Sequence, residues 1–363
     1  MRTMFPLAGL LALAGLLTLA RAAGAQTAEP AGRADDLPRR PVATYSIVAR
    51  DPETGELGVA VQSHWFSVGP IVPWAEAGVG AVATQSFVEP SYGPLGLDLM
   101  RAGKSAPQAL AALLAGDEHP EVRQVAMIDA QGRVAAHTGR SAIIAAGHHV
   151  GENYSVQANL MEKPSVWPAM ARAFEEAEGD LAERMLRVLE AAQAEGGDIR
   201  GRQSAAILVV SGTPTGRPWV DRIYDLRIED HPQPLEELRR LLHLARAYRE
   251  MNAGDESMTV NDVPAAVGHY NAAAEMEPAN AEMLYWAAVT LAGVGKVEEA
   301  LPRFEKAFAD DPRWAVLTPR LPAAGLLPDD PALVARILRV PGGEPGMDEW
   351  RRLAAEGKVQ GPR

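Results

Sequence analysis

The sequence predicts an α+β fold, a sandwich of sheets covered by helices, followed by an all-α region. Three observations predict it. Short β-rich runs recur between residues 44 and 229 and are interrupted twice by paired helical segments, in the order strands, two helices, strands, two helices, strands. From about Pro234 the strand signals stop and helical periodicity takes over. Within that second stretch a pattern repeats at a spacing of 34 residues: Pro278 recurs as Pro312, Ala266 as Ala300, Tyr270 as Phe304 and Ala273 as Ala307.

Ahead of the first strand, residues 1–25 read as a secretory signal. "MRTM" gives a positive start, "FPLAGLLALAGLLTLA" an apolar stretch, and Ala23-Gly24-Ala25 a small-x-small cleavage site before Gln26. The apolar run, roughly 16 residues, is short of the ~20 that a spanning helix needs. The expectation is an exported protein, periplasmic or extracellular, with no membrane span after cleavage. Residues 26–43 read as a flexible leader, its "QTAEPAGRADDLPRR" polar and aperiodic, with order beginning near Thr44.

"TYSIVAR" at 44–50 and "LGVAVQS" at 57–63 are strands joined by "DPETGE", a turn-forming segment, and should pair as an antiparallel hairpin. "GVGAVATQSF", 78–87, is small and apolar enough to lie centrally in a sheet, its glycines allowing another backbone to come close. Helices follow near 91–103 and from Ser105, where Ser caps and Pro sits in the first turn. "VRQVAMIDAQGRVAAHTG" folds back at Asp129-Ala130-Gln131-Gly132, and "SAIIAAGHHV" reads as a further strand. Amphipathic helices at 164–178 and 180–194, then strands at 203–210 and 219–229, complete a domain spanning 44–233.

The region 234–340 is expected to be helical, with residues 341–363 as a C-terminal tail. Its unit "AEMLYWAAVTLAGVGKVEEALPRFEKAFADDPRW" fits the tetratricopeptide pattern, with small residues where paired helices touch and a proline at the end. The unit before it carries "MNAGDESMTVNDVP" as an insertion between its helices. So few repeats need support, either from the first domain or from a capping helix in "DDPALVARILRV". Their surface is a candidate for a protein partner or for homo-oligomer contacts.

Composition excludes several function classes. The chain of 363 residues is 47% hydrophobic, so it can build real cores, and its 35 basic against 47 acidic residues leave a net charge of −12. With no basic cluster, neither nucleic acid nor an anionic membrane is a fitting partner. There is no cysteine, hence no disulfide and no lipid attachment after a signal cut. The histidines form no His-Glu-x-x-His run, and adjacent His148 and His149 point to opposite faces of a strand. "GVGAVA" lacks the third glycine of a dinucleotide fingerprint, and no Gly-x-Ser-x-Gly elbow is present. No cofactor or metal is called for.

Taken together, "TYSIVARDPETGELGVAVQS", "VGPIVPWAEAGVGAVATQS", "PSYGPLGLDLMRAG", "RQVAMIDAQGRVAAHTG" and "GRQSAAILVV" resemble the bacterial family called domain of unknown function 1028. The resemblance covers roughly 43–245. It implies the four-layer αββα sandwich of the N-terminal-nucleophile (Ntn) hydrolases, similar to proteasome subunits, and hydrolysis of amide bonds. In that chemistry one residue supplies both nucleophile and base: its hydroxyl attacks a carbonyl while its free α-amine takes the proton. An α-amino pKa of about 7.7–8.0 suits that task near neutral pH.

On this resemblance Thr44 is the nucleophile, exposed by a cut after Ala43. Signal peptidase is a poor agent for that cut, because Pro41 occupies a position where a small residue is wanted. No lysine lies between Thr44 and Lys104, so Arg50 and His64 are candidates for the cation that a proteasome-type site sets beside its threonine. Thr84, Gln85 and Ser86 end one strand, and "GDIRGRQSA" brings Asp198, Arg200, Arg202, Gln203 and Ser204 to the start of another. From these the candidate catalytic set is Thr44, Asn159, Arg202 and Ser204, with amides for an oxyanion and an arginine for an acidic substrate. Each has a structural reading beside it: a strand-starting threonine, a packed hydroxyl at Ser204. Two functions remain open: an exported amidohydrolase acting on a small amide or peptide, and a non-catalytic binding or scaffold protein that docks a partner through its helical repeats.

Overall fold

The computed structural model describes residues 41–361; the expected signal sequence at 1–25 and the leader as far as residue 40 lie outside them. The described residues form a mixed α/β structure of ten strands in two antiparallel sheets and eleven α-helices.

The expected hairpin forms from β1 (Thr44–Arg50) and β2 (Leu57–Ser63), in a register that sets Thr44 opposite Ser63. Its turn is closed by Asp51, whose carboxylate accepts the N–H groups of Glu53 at 2.8 Å and Thr54 at 3.0 Å. On one side β2 pairs with β9 (Ser204–Val210), and β9 with β10 (Arg222–Ile228). On the other side β1 pairs with β8 (Tyr154–Ala158), and β8 with β7 (Gly147–Gly151). This completes a six-stranded sheet.

The second sheet runs in chain order through β3 (Pro73–Glu76), β4 (Gly80–Ser86), β5 (Arg123–Asp129) and β6 (Val134–Thr138). β4 is buried along its whole length, as its small residues predict. A Cβ at Gly80 would stand 2.6 Å from the Ile128 carbonyl oxygen, so the two strands approach as closely as they do because nothing is there. β5 and β6 turn at Asp129, which takes the N–H groups of Gln131 and Arg133.

Helices α1 (Tyr92–Arg101) and α2 (Ala106–Gly116) cover one face of the four-stranded sheet, where Leu97, Met100 and Leu110 meet Val82, Val125 and Met127. Ser105 caps α2 in a full capping box with Gln108. Helices α3 (Val166–Glu176) and α4 (Leu181–Ala194) cover the six-stranded sheet, burying Phe174, Met185 and Leu189 against Tyr45, Ile47 and Ile207. Between the sheets lies a third apolar cluster around Val48, Val59, Val61, Ala83 and Leu208.

Three expectations are corrected. The strand expected at "SAIIAAGHHV" begins only at Gly147; ahead of it Ile144 is 90% exposed, while Ala145 packs against the core beneath the six-stranded sheet. The stretch "MNAGDESMTVNDVP" is not an insertion between helices: its residues as far as Thr259 extend α5 (Pro234–Thr259), which is 26 residues long. The tail at 341–363 holds α11 (Glu344–Ala355), whose Trp350 is 2% exposed in the core built by α7 (Ala281–Gly293), α8 (Val297–Asp310), α9 (Arg313–Leu317) and α10 (Pro331–Leu338). Gly346 makes that closure possible, since a Cβ there would come within 2.2 Å of the Ala315 carbonyl oxygen.

The boundary near residue 234 is an element shared by both regions. Leu235, Leu238 and Leu242 at the start of α5 belong to the core beneath the six-stranded sheet, whereas Ala247 and Met251 further along pack on α6 (Val263–Met276). Arg239 and Arg246 of α5 both pair with Glu183 on α4, at 3.0 and 3.3 Å.

Candidate functional site

The polar residues that β1 turns inward are fully buried. Thr44 opens the strand at 0% exposure, and the flexible leader expected at 26–43 is corrected at its end: residues 41–43 are part of the fold, because Val42 bridges to Ser86 and both Val42 and Ala43 are buried. Val42 forms a two-way backbone bridge with Ser86, donating to its carbonyl at 2.7 Å and accepting its N–H at 3.0 Å. The Thr44 hydroxyl donates to the Val42 carbonyl at 2.7 Å and lies 3.3 Å from Ser63 Oγ.

The carbonyl of Ala43, the residue joined to the Thr44 nitrogen, receives two donors. Ser63 Oγ donates to it at 2.5 Å, and Arg200 Nη2 at 2.9 Å. Hairpin register brings Ser63 there, because it is the β2 residue opposite Thr44. Arg200 is steered by Asp198, which is 3% exposed and takes the guanidinium at 3.0 Å through Nε and 2.7 Å through Nη2. The same carboxylate accepts the backbone N–H of His64 at 3.2 Å and so ties the end of β2 to this loop. Arg200 Nη1 reaches back to the Pro41 carbonyl at 3.3 Å. Such paired donors on one oxygen, one of them cationic, are what stabilise charge developing on a carbonyl.

Deeper between the sheets a chain of neutral side chains continues from this point. Ser46 donates to Gln85 Oε1 at 2.6 Å and accepts from Gln157 Nε2 at 2.6 Å, and Ser155 donates to Gln157 Oε1 at 3.0 Å. Gln85 Nε2 donates to Gln124 Oε1 at 2.7 Å, and Gln124 Nε2 donates to Thr138 Oγ1 and to the Ala158 carbonyl, both at 2.9 Å. Asn159 joins through Nδ2 to Gln124 Oε1 at 2.9 Å. Asn159 and Gln85 also hold the Thr44 carbonyl, at 3.1 Å from the Asn159 backbone N–H and 3.3 Å from Gln85 Nε2. They position the strand's first residue. Among the described residues no group of three His, Asp or Glu side chains is arranged to hold a metal ion.

Of the four expected site residues, two come together: Thr44 and Asn159. Arg202 is exposed and its guanidinium bonds the Gln233 side chain on the outer surface. Ser204 is buried but occupied, donating to the Trp65 carbonyl at 2.5 Å and accepting the Val68 N–H at 3.2 Å, which is a structural role. Of the candidate cations, Arg50 sits at the far end of β1, opposite Leu57. Arg200, two residues before Arg202, takes the place beside Thr44. Sequence reasoning passed over Ser63, Ser46, Gln124 and Gln157. The hairpin register would have found Ser63 by counting back from the turn. Nothing in "GDIRGRQSA" separates Arg200 from Arg202; the bend at Gly201, with φ +115°, decides it.

Residues 44–238 match the family model DUF1028, described as a family of unknown function. A crystal structure of a DUF1028 protein from Silicibacter pomeroyi is similar at a TM-score of 0.50 and 30% sequence identity, covering 56% of this chain and 89% of that one. No curated protein matches the chain.

Proposed function

The chain belongs to the DUF1028 family, and from that premise we propose that it is an exported Ntn-type amidohydrolase, activated when Thr44 becomes its N-terminus. The observation that carries this reading is the Ala43 carbonyl, gripped by Ser63 and Arg200 beside the Thr44 hydroxyl. The order helix, sheet, sheet, helix supports an αββα sandwich of the Ntn type. Packing of α5 on α6 and of α7 on α8 supports the tetratricopeptide-like reading of the helical region.

The chemistry follows from covalent geometry. Attack of Thr44 Oγ on the Ala43 carbonyl carbon closes a five-membered ring, so nucleophile and target are already held together by the chain. The oxyanion is met by Ser63 and Arg200. The C–N bond then breaks, the hydroxyl proton ends on the Thr44 nitrogen, and Ala43 is left as an ester on Oγ. Water cleaves that ester to give the Ala43 carboxylate and a Thr44 with free hydroxyl and free α-amine. Turnover of a small amide or peptide repeats the cycle: the amine takes the hydroxyl proton and delivers it to the leaving nitrogen, and water releases the acyl group.

The test is the intact mass of the purified full chain and of three variants. Wild type and Thr44→Ser should yield a chain that begins at residue 44, while Thr44→Ala stays uncut. Arg200→Met should slow the cut by about 10²–10³-fold, the usual loss for one oxyanion donor. Cutting of Thr44→Ala at the same bond would show that another protease is responsible and end the proposal.

A cleft of about 1030 Å³ in the helical region favours a second reading, docking of a partner. It is lined by Met251, Met258 and Trp286 with Asp255 and Glu282 among them, which suits an apolar peptide carrying a positive charge.

A further inference from the structure

We infer that residues 41–43 fill, and thereby outline, the subsites in which this protein binds the acyl side of its substrate: an extended peptide ending in a small apolar residue preceded by a β-branched one. The inference rests on the reading of Thr44 as nucleophile and adds to it the substrate class.

The link is chemical identity. The ester formed when Thr44 attacks its own Ala43 carbonyl is the same species as the acyl-enzyme that would form from a separate peptide amide ending in Pro-Val-Ala. In both, the acyl group is on Oγ, the α-amine is free, and the next step is attack by water. A groove that holds the leader's acyl part in one reaction holds it in the other.

That groove is specific along its length. Each of the three leader carbonyls is gripped: Pro41 by Arg200 Nη1 at 3.3 Å, Val42 by the Ser86 N–H at 3.0 Å, and Ala43 by Ser63 Oγ at 2.5 Å and Arg200 Nη2 at 2.9 Å. Val42 also gives its N–H to the Ser86 carbonyl, so it is read as a one-residue strand. The side chains of Val42 and Ala43 are both at 0% exposure, with Val42 in the apolar cluster that includes Val61, Val68 and Val72. A charge in the first position or bulk in the second has nowhere to go.

Ser86 gives an independent mark. It holds φ at +71°, a conformation that non-glycine residues adopt at a cost, and its buried hydroxyl has no partner. In this conformation β4 ends with both backbone groups of Ser86 turned to the bound segment. Removal of residues 41–43 leaves that N–H, that carbonyl and Arg200 open together.

The experiment uses a chain freed in vitro from a fusion partner so that it begins at Thr44. It retains every strand and helix of the fold, the first starting at Thr44 and the last ending at Ala355. Two probes are applied: a fluorescein-labelled peptide Arg-Arg-Pro-Val-Ala with a free carboxylate, followed by anisotropy, and the aminomethylcoumarin amide of Arg-Pro-Val-Ala, followed by fluorescence. Peptides with Asp in place of Val, or Phe in place of Ala, should bind at least about tenfold more weakly, the usual discrimination of a filled apolar pocket. Selective binding with selective turnover supports both readings. Selective binding without turnover supports the subsites and sinks the catalytic reading. Turnover indifferent to the two replacements, or no binding of the parent peptide, overturns the inference. Should the trimmed chain not remain folded, the comparison moves to the full chain. There Thr44→Ala combined with Val42→Asp must bind the labelled peptide while Thr44→Ala alone, its groove filled, does not; equal binding by the two overturns the inference as well.

Discussion

Strand β1 presents Tyr45, Ile47 and Ala49 to the helices on one face, and Thr44 and Ser46 to Gln85, Gln157 and Asn159 on the other. Both faces are equally dry, at 0% exposure, so burial does not distinguish them. What differs is where the free energy comes from. The outer face gains by removing apolar surface from water, about 1.5–3 kcal/mol for each large side chain. The inner face exchanges hydrogen bonds with water for hydrogen bonds among its own amides and hydroxyls, which nets only ~1 kcal/mol apiece. An apolar inner layer would hold the sheets together at least as well, as it does nearby around Val59 and Leu208. The polar stretch lies toward the end where Thr44 is, so stability alone does not account for it.

The sharpest way to break this contrast is to truncate one residue on each face. Ile47→Ala should cost about 2–5 kcal/mol in urea unfolding, the range for emptying a packed core position, with the fraction of folded chains cut before Thr44 unchanged. If it costs nothing, the outer face is not the stabilising one. Gln124→Leu should cost less, about 1–3 kcal/mol, because Gln85 Nε2 and Asn159 Nδ2 lose their shared acceptor in a dry place. It should also slow the cut before Thr44, since Gln85 and Asn159 hold that residue's carbonyl. A stabilised protein that still cuts at the wild-type rate would show the network to be dispensable.

The smallest effect concerns pH. The inner network consists of Ser, Thr, Gln and Asn, with no carboxylate, so acid should reach stability through the outer layers. Asp117, at the end of α2, is one such group. Burial would raise its pKa, but the Arg123 guanidinium, the His119 N–H and the Tyr92 hydroxyl outweigh burial and hold it below the ordinary 3.8. A group depressed on folding contributes its stability in full above its unfolded pKa and loses it as pH falls through the folded one. Urea midpoints should therefore fall more steeply below pH ~4 in wild type than in Asp117→Asn. Parallel profiles would move the acid sensitivity elsewhere.

Much of this was legible in the residues. Two β-rich runs and the turn between them located the β1–β2 hairpin, Ser105 announced its helix, and the 34-residue repeat marked the helical region. β8 was missed although "YSVQAN" alternates cleanly, because its polar half reads as solvent-facing and is instead buried against Gln85 and Gln124. The closing helix was missed because "PGGEPG" reads as a breaker, whereas its second proline occupies the first turn of α11, where no N–H is needed. Arg200 stands two residues before Arg202 in "GDIRGRQSA", and the residues alone do not set the two apart. Its role depends on Asp198, Gly201 and a leader 157 positions away, a meeting that only the closed fold creates.

That distance sets the timing of the proposed chemistry. Ser63 is 20 positions from Ala43 along the chain and Arg200 is 157, so a chain in transit or unfolded has neither donor at the bond before Thr44. The bond is then an ordinary peptide bond and lasts as one. Only when the strand carrying Ser63 and the loop carrying Arg200 have both arrived does cleavage become fast. A new N-terminus at Thr44 would thus be a permanent record that one molecule finished folding. The ratio of cut to uncut chains in a cell extract would count completed molecules without any assay of their activity.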